Sequence, residues 1–240
     1  MVKGLKLAKY KVDSDLGLPA EILELLKVLD KADFFNDGLL VGSWAMLFYE
    51  EVLGIKYVLR TGDIDFALVP GILKEARAID LEAEFKALGM EPVTDSETGL
   101  QKFLTDLYEV EFLVHRPGGR EEVKMVRKFN VIAQAMPFID ILFIDPIEVE
   151  FAGCLIRIPR PEALFFQKLI VAQRRPQEWK KEKDLEQCGL LAGQLDIKVL
   201  EAMAGGYRMS KKTRYMIRES CKAIGFEPSH IILKDTVTKK

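Results

Sequence analysis

The chain has 240 residues, of which 49% are hydrophobic and 30% are charged, and its formal net charge is -2. These values are typical of a globular protein with one large or two small domains, and they exclude a molecule that attracts nucleic acid with its whole surface. Two histidines and three widely spaced cysteines argue against a histidine-rich metal site, a zinc cluster or a disulfide framework. The sequence shows no signal-peptide pattern and no apolar run approaching ~20 residues, so we expect a cytoplasmic protein with no membrane partner.

The first elements predicted along the chain are a helix, a short strand and a second helix. Residues 19–34 carry isoleucine and leucine at helical spacing, which predicts an amphipathic helix. The apolar run 39–41 predicts a buried strand that stops at Gly42. Residues 44–53 then predict a mostly buried helix, closed by Gly54.

The following segments alternate between strands and helices. In chain order we predict a strand (64–69), a helix (73–88), two strands around a tight turn (101–105 and 108–115), a loop (117–122), a buried stretch without an assigned role (124–143) and a hairpin (147–158). Beyond Pro159 the pattern becomes helical. The prediction is therefore an α+β fold, with a small mixed sheet flanked by helices in a domain over residues 1–158 and a helical C-terminal domain over residues 159–240.

Two carboxylates separated by one residue, Asp63 and Asp65, are the most distinctive chemical feature of the sequence. Residues i and i+2 of a strand point to the same face, ~6.5–7 Å apart along the chain. Paired carboxylates at the end of a strand suit Mg²⁺ or Mn²⁺, which prefer oxygen ligands. The alternative is the solvated face of an edge strand.

Two neighbouring segments favour the metal site. Gly42 and Ser43 lie where a strand turns into a helix, and the free amides of such a turn bind phosphate, although Ser43 is equally suited to be a plain helix N-cap. Glu109 and Glu111 share one face of the strand 108–115, which either supplies a third carboxylate or forms the wet face of an antiparallel strand. Metal-assisted phosphoryl chemistry uses carboxylate sets of this kind.

The order of these segments resembles that of the DNA polymerase beta-like nucleotidyltransferases. The segments VGSWA, RTGDID and VEFL resemble the Gly-Ser, Asp-x-Asp and third-carboxylate segments of a prokaryotic branch of this superfamily. Downstream, RIPRPEALFFQKLIVAQRR and KKEKDLEQ resemble two further segments of the same branch. The branch usually has aspartate at the position of Glu111.

The resemblance implies transfer of a nucleoside monophosphate from a nucleoside triphosphate (NTP), ATP among the candidates, to a hydroxyl acceptor, with Mg²⁺ or Mn²⁺ as cofactor. It implies that Asp63, Asp65 and Glu111 are catalytic and bind the metal. The nucleotide-binding residues that it implies are Gly42, Ser43, Arg60, Thr61, Lys168, Arg175 and Lys183.

The pattern around two of these cations is informative by itself. Lys168 lies in an apolar helical stripe, so it must extend to the surface, pair with an anion or contact phosphate. We expect Arg175 two turns later on the same helix face, so that both cations point to one cavity.

Three alternatives remain open. The first is a toxin-like nucleotidyltransferase that acts on tRNA 3′ ends, for which a basic segment near the C-terminus is suited to contact RNA, although such a segment is also typical of a solvated helix face. The second is a nucleotide-binding or regulatory module with a decayed site, favoured by the glutamate at position 111 alone. The third is an adenylyltransferase of the antibiotic-modifying kind. The RNA-contacting residues of the first alternative are Arg208, Lys211, Lys212, Arg214 and Arg218.

Overall fold

The chain folds as two compact units, with the division between Arg160 and Pro161. The computed structural model describes residues 8–12, 16–74, 79–116, 118 and 122–232. Within these residues the first unit contains both strands and helices, and the second contains helices. The predicted α+β fold class is therefore confirmed.

The described first unit contains the strands and helices that position the candidate site. In chain order they are β1 (Lys9–Val12), α1 (Ala20–Lys31), β2 (Gly38–Leu40), α2 (Gly42–Leu53), β3 (Asp63–Leu68), α3 (Leu81–Ala87), β4 (Glu91–Thr94), β5 (Gln101–Leu104), β6 (Glu109–His115), β7 (Glu122–Val126), β8 (Val131–Met136), β9 (Ile147–Phe151) and β10 (Cys154–Ile158). The predicted first two helices, the strand 64–69, the strand pair after residue 100 and the final hairpin are confirmed. The strands β1, β4, β7 and β8 were not predicted as strands.

The strands form two sheets. The larger sheet has the order β2-β3-β6-β5-β4, and β8 pairs with both β6 and β7. Within it β3 and β6 are parallel, whereas β2 is antiparallel to β3 and β5 is antiparallel to β6. The smaller sheet has the order β1-β9-β10. The larger sheet thus places β3 and β6, the two strands that carry the acidic residues, side by side.

An aromatic core fixes the register of these two strands. Phe66 of β3 pairs with Phe112 of β6, and their rings stack with centroids 5.9 Å apart. Phe34 packs its ring against both, at 5.5 and 5.8 Å. Burying a phenylalanine contributes ~1.5–3 kcal/mol, so a slip of one residue would expose this cluster at a large cost. Because side chains alternate along a strand, the same register directs Asp63 and Asp65 to the opposite face.

The predicted helix over residues 73–88 is wrong in its extent. The described structure has a short 3₁₀ turn and then α3, which begins only at Leu81. Asp80 caps α3 by accepting a backbone N–H of its first turn at 3.2 Å, and the Ile79 N–H donates to the Lys128 carbonyl at 3.0 Å. This bond to another segment replaces the helical hydrogen bond that the sequence pattern predicted.

Two predicted segments of the first unit lie on either side of the start of β7. The stretch 124–143, for which burial alone was predicted, forms most of β7, all of β8 and a 3₁₀ turn over Ile139–Phe143. The predicted loop 117–122 lies mostly outside the described residues. The strand β8 extends the sheet beyond β5 along the same edge of β6.

The second unit is a helical bundle, as predicted. Helix α4 is buried along its whole length, and the other three helices pack against it. None of the helices in the described parts of the chain combines the length and the apolar composition needed to cross a bilayer. The four helices are α4 (Pro161–Ala172), α5 (Glu178–Ala192), α6 (Ile197–Gly206) and α7 (Lys211–Ile224).

Candidate active site

Parallel pairing of β3 and β6 puts four carboxylates on one face of the sheet. Asp63 is in register with Glu109, and Asp65 is in register with Glu111. Neighbouring strands lie about 4.8 Å apart, so each aspartate has a glutamate as its direct neighbour. Glu111 is therefore the direct neighbour of Asp65. The Glu111 side chain is 14% exposed. We call these four residues the carboxylate array.

A lysine that the sequence pattern did not single out bonds to the two glutamates. Lys102 of β5 is in register with Glu111, and its Nζ lies 2.5 Å from Glu111 Oε1 and also donates to Glu109. Burial alone would lower the pKa of Lys102, but these two hydrogen bonds outweigh burial and raise the pKa. The signal for this contact was present in the sequence, because the predicted tight turn between the two strands sets the register that brings Lys102 beside Glu111.

The array carries more negative charge than this lysine neutralises. Burial, reinforced by the hydrogen bond to Glu109 and the charge of Asp65, raises the pKa of Glu111 to about 7 in spite of Lys102. Repulsion of this kind is relieved when a divalent cation binds to carboxylate oxygens. Among the described residues, no group of three or more His, Cys, Asp or Glu side chains is already arranged to hold a metal ion. The donor chemistry of the array nevertheless fits a hard divalent cation, with Lys102 as the competing cation.

The N-terminus of α2 lies against the array. Gly42 has φ +66°, and a Cβ atom at this position would lie 2.9 Å from Asp65 Oδ2. The neighbouring Val41 N–H donates to the Asp65 carbonyl at 3.0 Å. Glycine is therefore required both by the backbone angle and by the close approach of Asp65. Ser43 is buried in the first turn of α2, so its interpretation as the N-cap residue is wrong, and Val41 occupies that position.

The segment before β3 orients the start of the strand. The Asp63 N–H donates to Thr61 Oγ1 at 3.1 Å, so this hydroxyl supports the strand end. Gly62 accepts the Glu109 N–H at 3.0 Å, and a Cβ atom on Gly62 would lie 2.4 Å from the Leu107 carbonyl oxygen. Arg60 is exposed. Gly62 was not singled out by its sequence pattern, yet its lack of a side chain lets the β5–β6 turn pack beside β3.

Lys168 and Arg175, in the second unit, converge on one aspartate. Lys168 Nζ lies 2.6 Å from Asp184 Oδ1, and Arg175 Nε lies 2.7 Å from Asp184 Oδ2. The expectation that Arg175 shares a helix with Lys168 is wrong, because α4 ends at Ala172. Pro176 follows Arg175 and disfavours the helical conformation there. We call Lys168, Asp184 and Arg175 the buried triad.

The triad is strongly coupled electrostatically. The Asp184 side chain is 1% exposed and that of Lys168 is 6% exposed. Burial alone would raise the pKa of Asp184, but the Lys168 and Arg175 charges outweigh burial and hold the pKa below its ordinary value. Lys183, on α5, places its Nζ 5.8 Å from the centroid of the Trp179 ring.

Comparison with known proteins identifies the class to which the chain belongs. A profile of a nucleotidyltransferase family matches residues 20–202, a span that contains the carboxylate array and the buried triad. The chain therefore belongs to this family, and it is a nucleotidyltransferase enzyme. A comparison with curated protein sequences gave no significant match.

Three solved structures of nucleotidyltransferases or nucleotidyltransferase-like proteins resemble the chain weakly. The solution structure of the antibiotic-resistance factor ANT(2'')-Ia is 19% identical, with 85% of this chain and 97% of that chain covered and a TM-score of 0.46. An antigenic nucleotidyltransferase-like protein from Paracoccidioides brasiliensis is 13% identical, with 89% and 97% covered and a TM-score of 0.49. ANT(2")-Ia in complex with adenylyl-2"-tobramycin is 16% identical, with 77% and 95% covered and a TM-score of 0.42.

Proposed function

We propose that this enzyme transfers a nucleoside monophosphate from an NTP to a hydroxyl acceptor and releases pyrophosphate, in a reaction that depends on a divalent metal. The observation that carries the proposal is the carboxylate array beside the N-terminus of α2, in a chain of a nucleotidyltransferase family. Carboxylates and a helix N-terminus are the groups that metal-assisted phosphoryl transfer requires.

In this proposal Asp63, Asp65 and Glu111 hold Mg²⁺ or Mn²⁺. One support is the in-register pairing of Asp65 with Glu111. The other is that the carboxylate array carries more negative charge than Lys102 neutralises. A divalent cation bound there supplies charge neutralisation for the phosphate groups. Glu111 also accepts the proton of the attacking hydroxyl group, since a carboxylate is a suitable base for this step.

The triphosphate is proposed to bind at the start of α2. Gly42 and Ser43 lie in its first turn, where backbone N–H groups and the positive end of the helix dipole favour an anion. Thr61 orients the strand that carries the aspartates, and the exposed Arg60 supplies a further positive charge. These residues position the NTP through its phosphates, which are common to all four nucleotides.

Lys168, Arg175 and Lys183 are proposed to reinforce phosphate binding. The buried triad carries two positive charges and one negative charge, so it retains one net positive charge. Asp184 holds the two cations in fixed positions, which lowers the entropic cost of placing them on a ligand. Arg175, with 29% of its side chain exposed, is the triad cation that is more accessible to a ligand.

A transfer assay tests the proposal. Each of the four NTPs, labelled at the α-phosphate, is incubated with Mg²⁺ or Mn²⁺ and with total RNA, an aminoglycoside or a protein extract as acceptor. We expect label to move to one acceptor class with the wild type and not with Asp63→Asn/Asp65→Asn. The matched control is Glu148→Gln/Glu150→Gln, which removes two carboxylates at the same spacing on β9. Equal transfer by wild type and the aspartate variant would refute the proposal.

A further inference from the structure

Helix α7 lies outside the part of the chain that matches the family profile, since the match ends at residue 202 and α7 begins at Lys211. The helix is well defined at both ends. Ser210 Oγ accepts the Thr213 N–H at 3.1 Å, and Gly225 closes the helix with φ +68°. One side of α7 is buried and packs against α4 and α5. The other side faces solvent.

The exposed side of α7 carries three cations and one aromatic ring in a row. Lys211, Tyr215, Arg218 and Lys222 are all exposed and follow at i, i+4, i+7 and i+11. Residues at this spacing lie on one face of a helix. The row extends over about 16 Å at a rise of ~1.5 Å per residue. We call these four residues the basic stripe.

The charge of the second unit differs from that of the first. Residues 161–240 contain 16 Lys and Arg against 10 Asp and Glu, whereas residues 1–160 contain 19 against 27. The basic stripe thus belongs to the positively charged part of a chain with a net charge of -2. A concentration of positive charge on one face is the electrostatic pattern of a surface that binds a polyanion.

Tyr215 narrows the choice of polyanion. It is 60% exposed, in the middle of a stripe whose other members are charged. A membrane surface does not fit, because an amphipathic helix inserts its apolar face, and here Met216, Ile217 and Cys221 are buried within the unit. The bases of a single-stranded RNA have free faces that stack on an aromatic ring, whereas the bases of a duplex are stacked on one another.

We propose that the basic stripe binds single-stranded RNA, with the three cations on its phosphates and the Tyr215 ring stacked on a base. If the proposed function holds, on which this step rests, the acceptor is a terminal hydroxyl group of that RNA. Its oxygen forms a bond to the α-phosphorus of the NTP, and the bond from that phosphorus to the pyrophosphate oxygen breaks. The hydroxyl proton passes to a carboxylate, and pyrophosphate leaves.

Fluorescence anisotropy with the full chain tests the binding step. The probe is a labelled single-stranded RNA of about 12 nucleotides, within the usual site size of ~4–16 nucleotides, in EDTA and without NTP. We expect Lys211→Gln/Arg218→Gln/Lys222→Gln to weaken binding by at least about tenfold and to reduce the log–log salt slope by about 2, which is ~0.7 for each of three phosphates. Lys31→Gln/Lys86→Gln/Lys198→Gln removes three exposed lysines from other helices and serves as the matched control.

Substitution of Tyr215 gives a second readout, because its effect on RNA affinity depends on the aromatic ring and not on charge. Tyr215→Ala loses a stacked base, worth ~1–3 kcal/mol or about 5- to 150-fold in affinity, whereas Tyr215→Phe keeps the ring and the affinity. The inference is overturned if the folded wild type does not bind the RNA, if the control variant loses as much affinity as the stripe variant, or if Tyr215→Ala binds as tightly as the wild type.

The test of RNA binding at the basic stripe can fail or succeed independently of the test of the proposed function. We expect Asp63→Asn/Asp65→Asn to bind the RNA normally and to add no labelled nucleotide to it. RNA binding at the stripe with label transferred only to another acceptor would overturn the acceptor assignment. Metal-dependent NTP binding without RNA binding would overturn the inference about α7 and leave the proposed function intact.

Discussion

Removal of the carboxylate from the buried triad is expected to destabilise the second unit severely. Asp184→Asn leaves the Lys168 ammonium group, only 6% exposed in its side chain, without its counter-charge. Loss of one partner of a buried ion pair costs ~3–5 kcal/mol because the remaining charge stays desolvated. The cost here falls near the upper end, since Asp184 serves two cations. Such a loss is a large part of the ~5–15 kcal/mol that stabilises a typical domain.

Urea unfolding followed by circular dichroism measures this loss. With a slope of about 2 kcal/mol per M, a loss of 3–5 kcal/mol lowers the midpoint of the affected transition by roughly 1.5–2.5 M. Glu182→Gln, which removes an exposed carboxylate from the same helix, is the control and is expected to stay within about 0.5 kcal/mol of the wild type. A loss below about 1 kcal/mol for Asp184→Asn would refute the argument from buried charge.

A double replacement separates lost charge from lost packing. Lys168→Met/Asp184→Leu removes both buried charges of the closest pair and keeps apolar volume in the unit. Replacement of a buried pair by apolar residues is often neutral, so we expect the double variant to recover most of the stability lost in Asp184→Asn. A double variant less stable than Asp184→Asn would contradict this expectation.

The Asp184 carboxylate also makes the free energy of unfolding depend on pH. Because the pKa of Asp184 is lower in the folded chain than in the unfolded chain, its contribution is present above the unfolded pKa and is lost as pH falls through the folded pKa. The stability difference between wild type and Asp184→Asn is therefore expected to shrink below about pH 4, the ordinary range of an aspartate. A difference that grows on acidification would contradict this sign.

Two predictions concern the carboxylate array. Gly42→Ala strains a residue at φ +66° and places a methyl group 2.9 Å from Asp65 Oδ2, so we expect about 10- to 100-fold loss of transfer rate from a displaced carboxylate. Gly54→Ala, at φ +70° with no atom within 4 Å of its Cβ, imposes similar strain and should keep the rate; equal losses would contradict the clash argument. Lys102→Met removes the cation that bonds to both glutamates, so calorimetry should show Mn²⁺ binding several-fold tighter, on the order of 1 kcal/mol. Lys86→Met, which removes a lysine paired with a carboxylate on α3, should leave the Mn²⁺ affinity unchanged, and weaker Mn²⁺ binding by Lys102→Met would show that this lysine supports the site.

Local patterns were sufficient to predict the strands that form the site. The two-residue period places Asp63 and Asp65 on one face of β3, and the tight turn after β5 defines the hairpin that carries Glu111. Local patterns did not predict the pairing of β3 with β6, because it joins segments about forty residues apart through the aromatic core. The turn after β5 sets the register of Lys102 with Glu111, but Lys102 was missed because only the pairing of β3 with β6 makes its two glutamate partners part of the carboxylate array.

Tertiary contacts account for the other differences. The expected position of Arg175 on α4 ignored Pro176, which follows directly, and the structure shows that convergence on Asp184 does not require a shared helix. The helix predicted over residues 73–88 begins only at Leu81, because the Ile79 N–H bonds to the Lys128 carbonyl, a partner distant in the sequence. Neither contact leaves a periodic pattern in the sequence.

Calorimetric titration with ATP, CTP, GTP and UTP, in the presence of Mg²⁺ or Mn²⁺, is the most direct test of the central claim that the carboxylate array is a metal-dependent nucleotide site. We expect the wild type to bind at least one nucleotide only when the metal is present. We expect Asp63→Asn/Asp65→Asn, folded as judged by circular dichroism, not to bind that nucleotide. A folded wild type that binds none of the four nucleotides with either metal, or an aspartate variant that binds as tightly as the wild type, would contradict the claim.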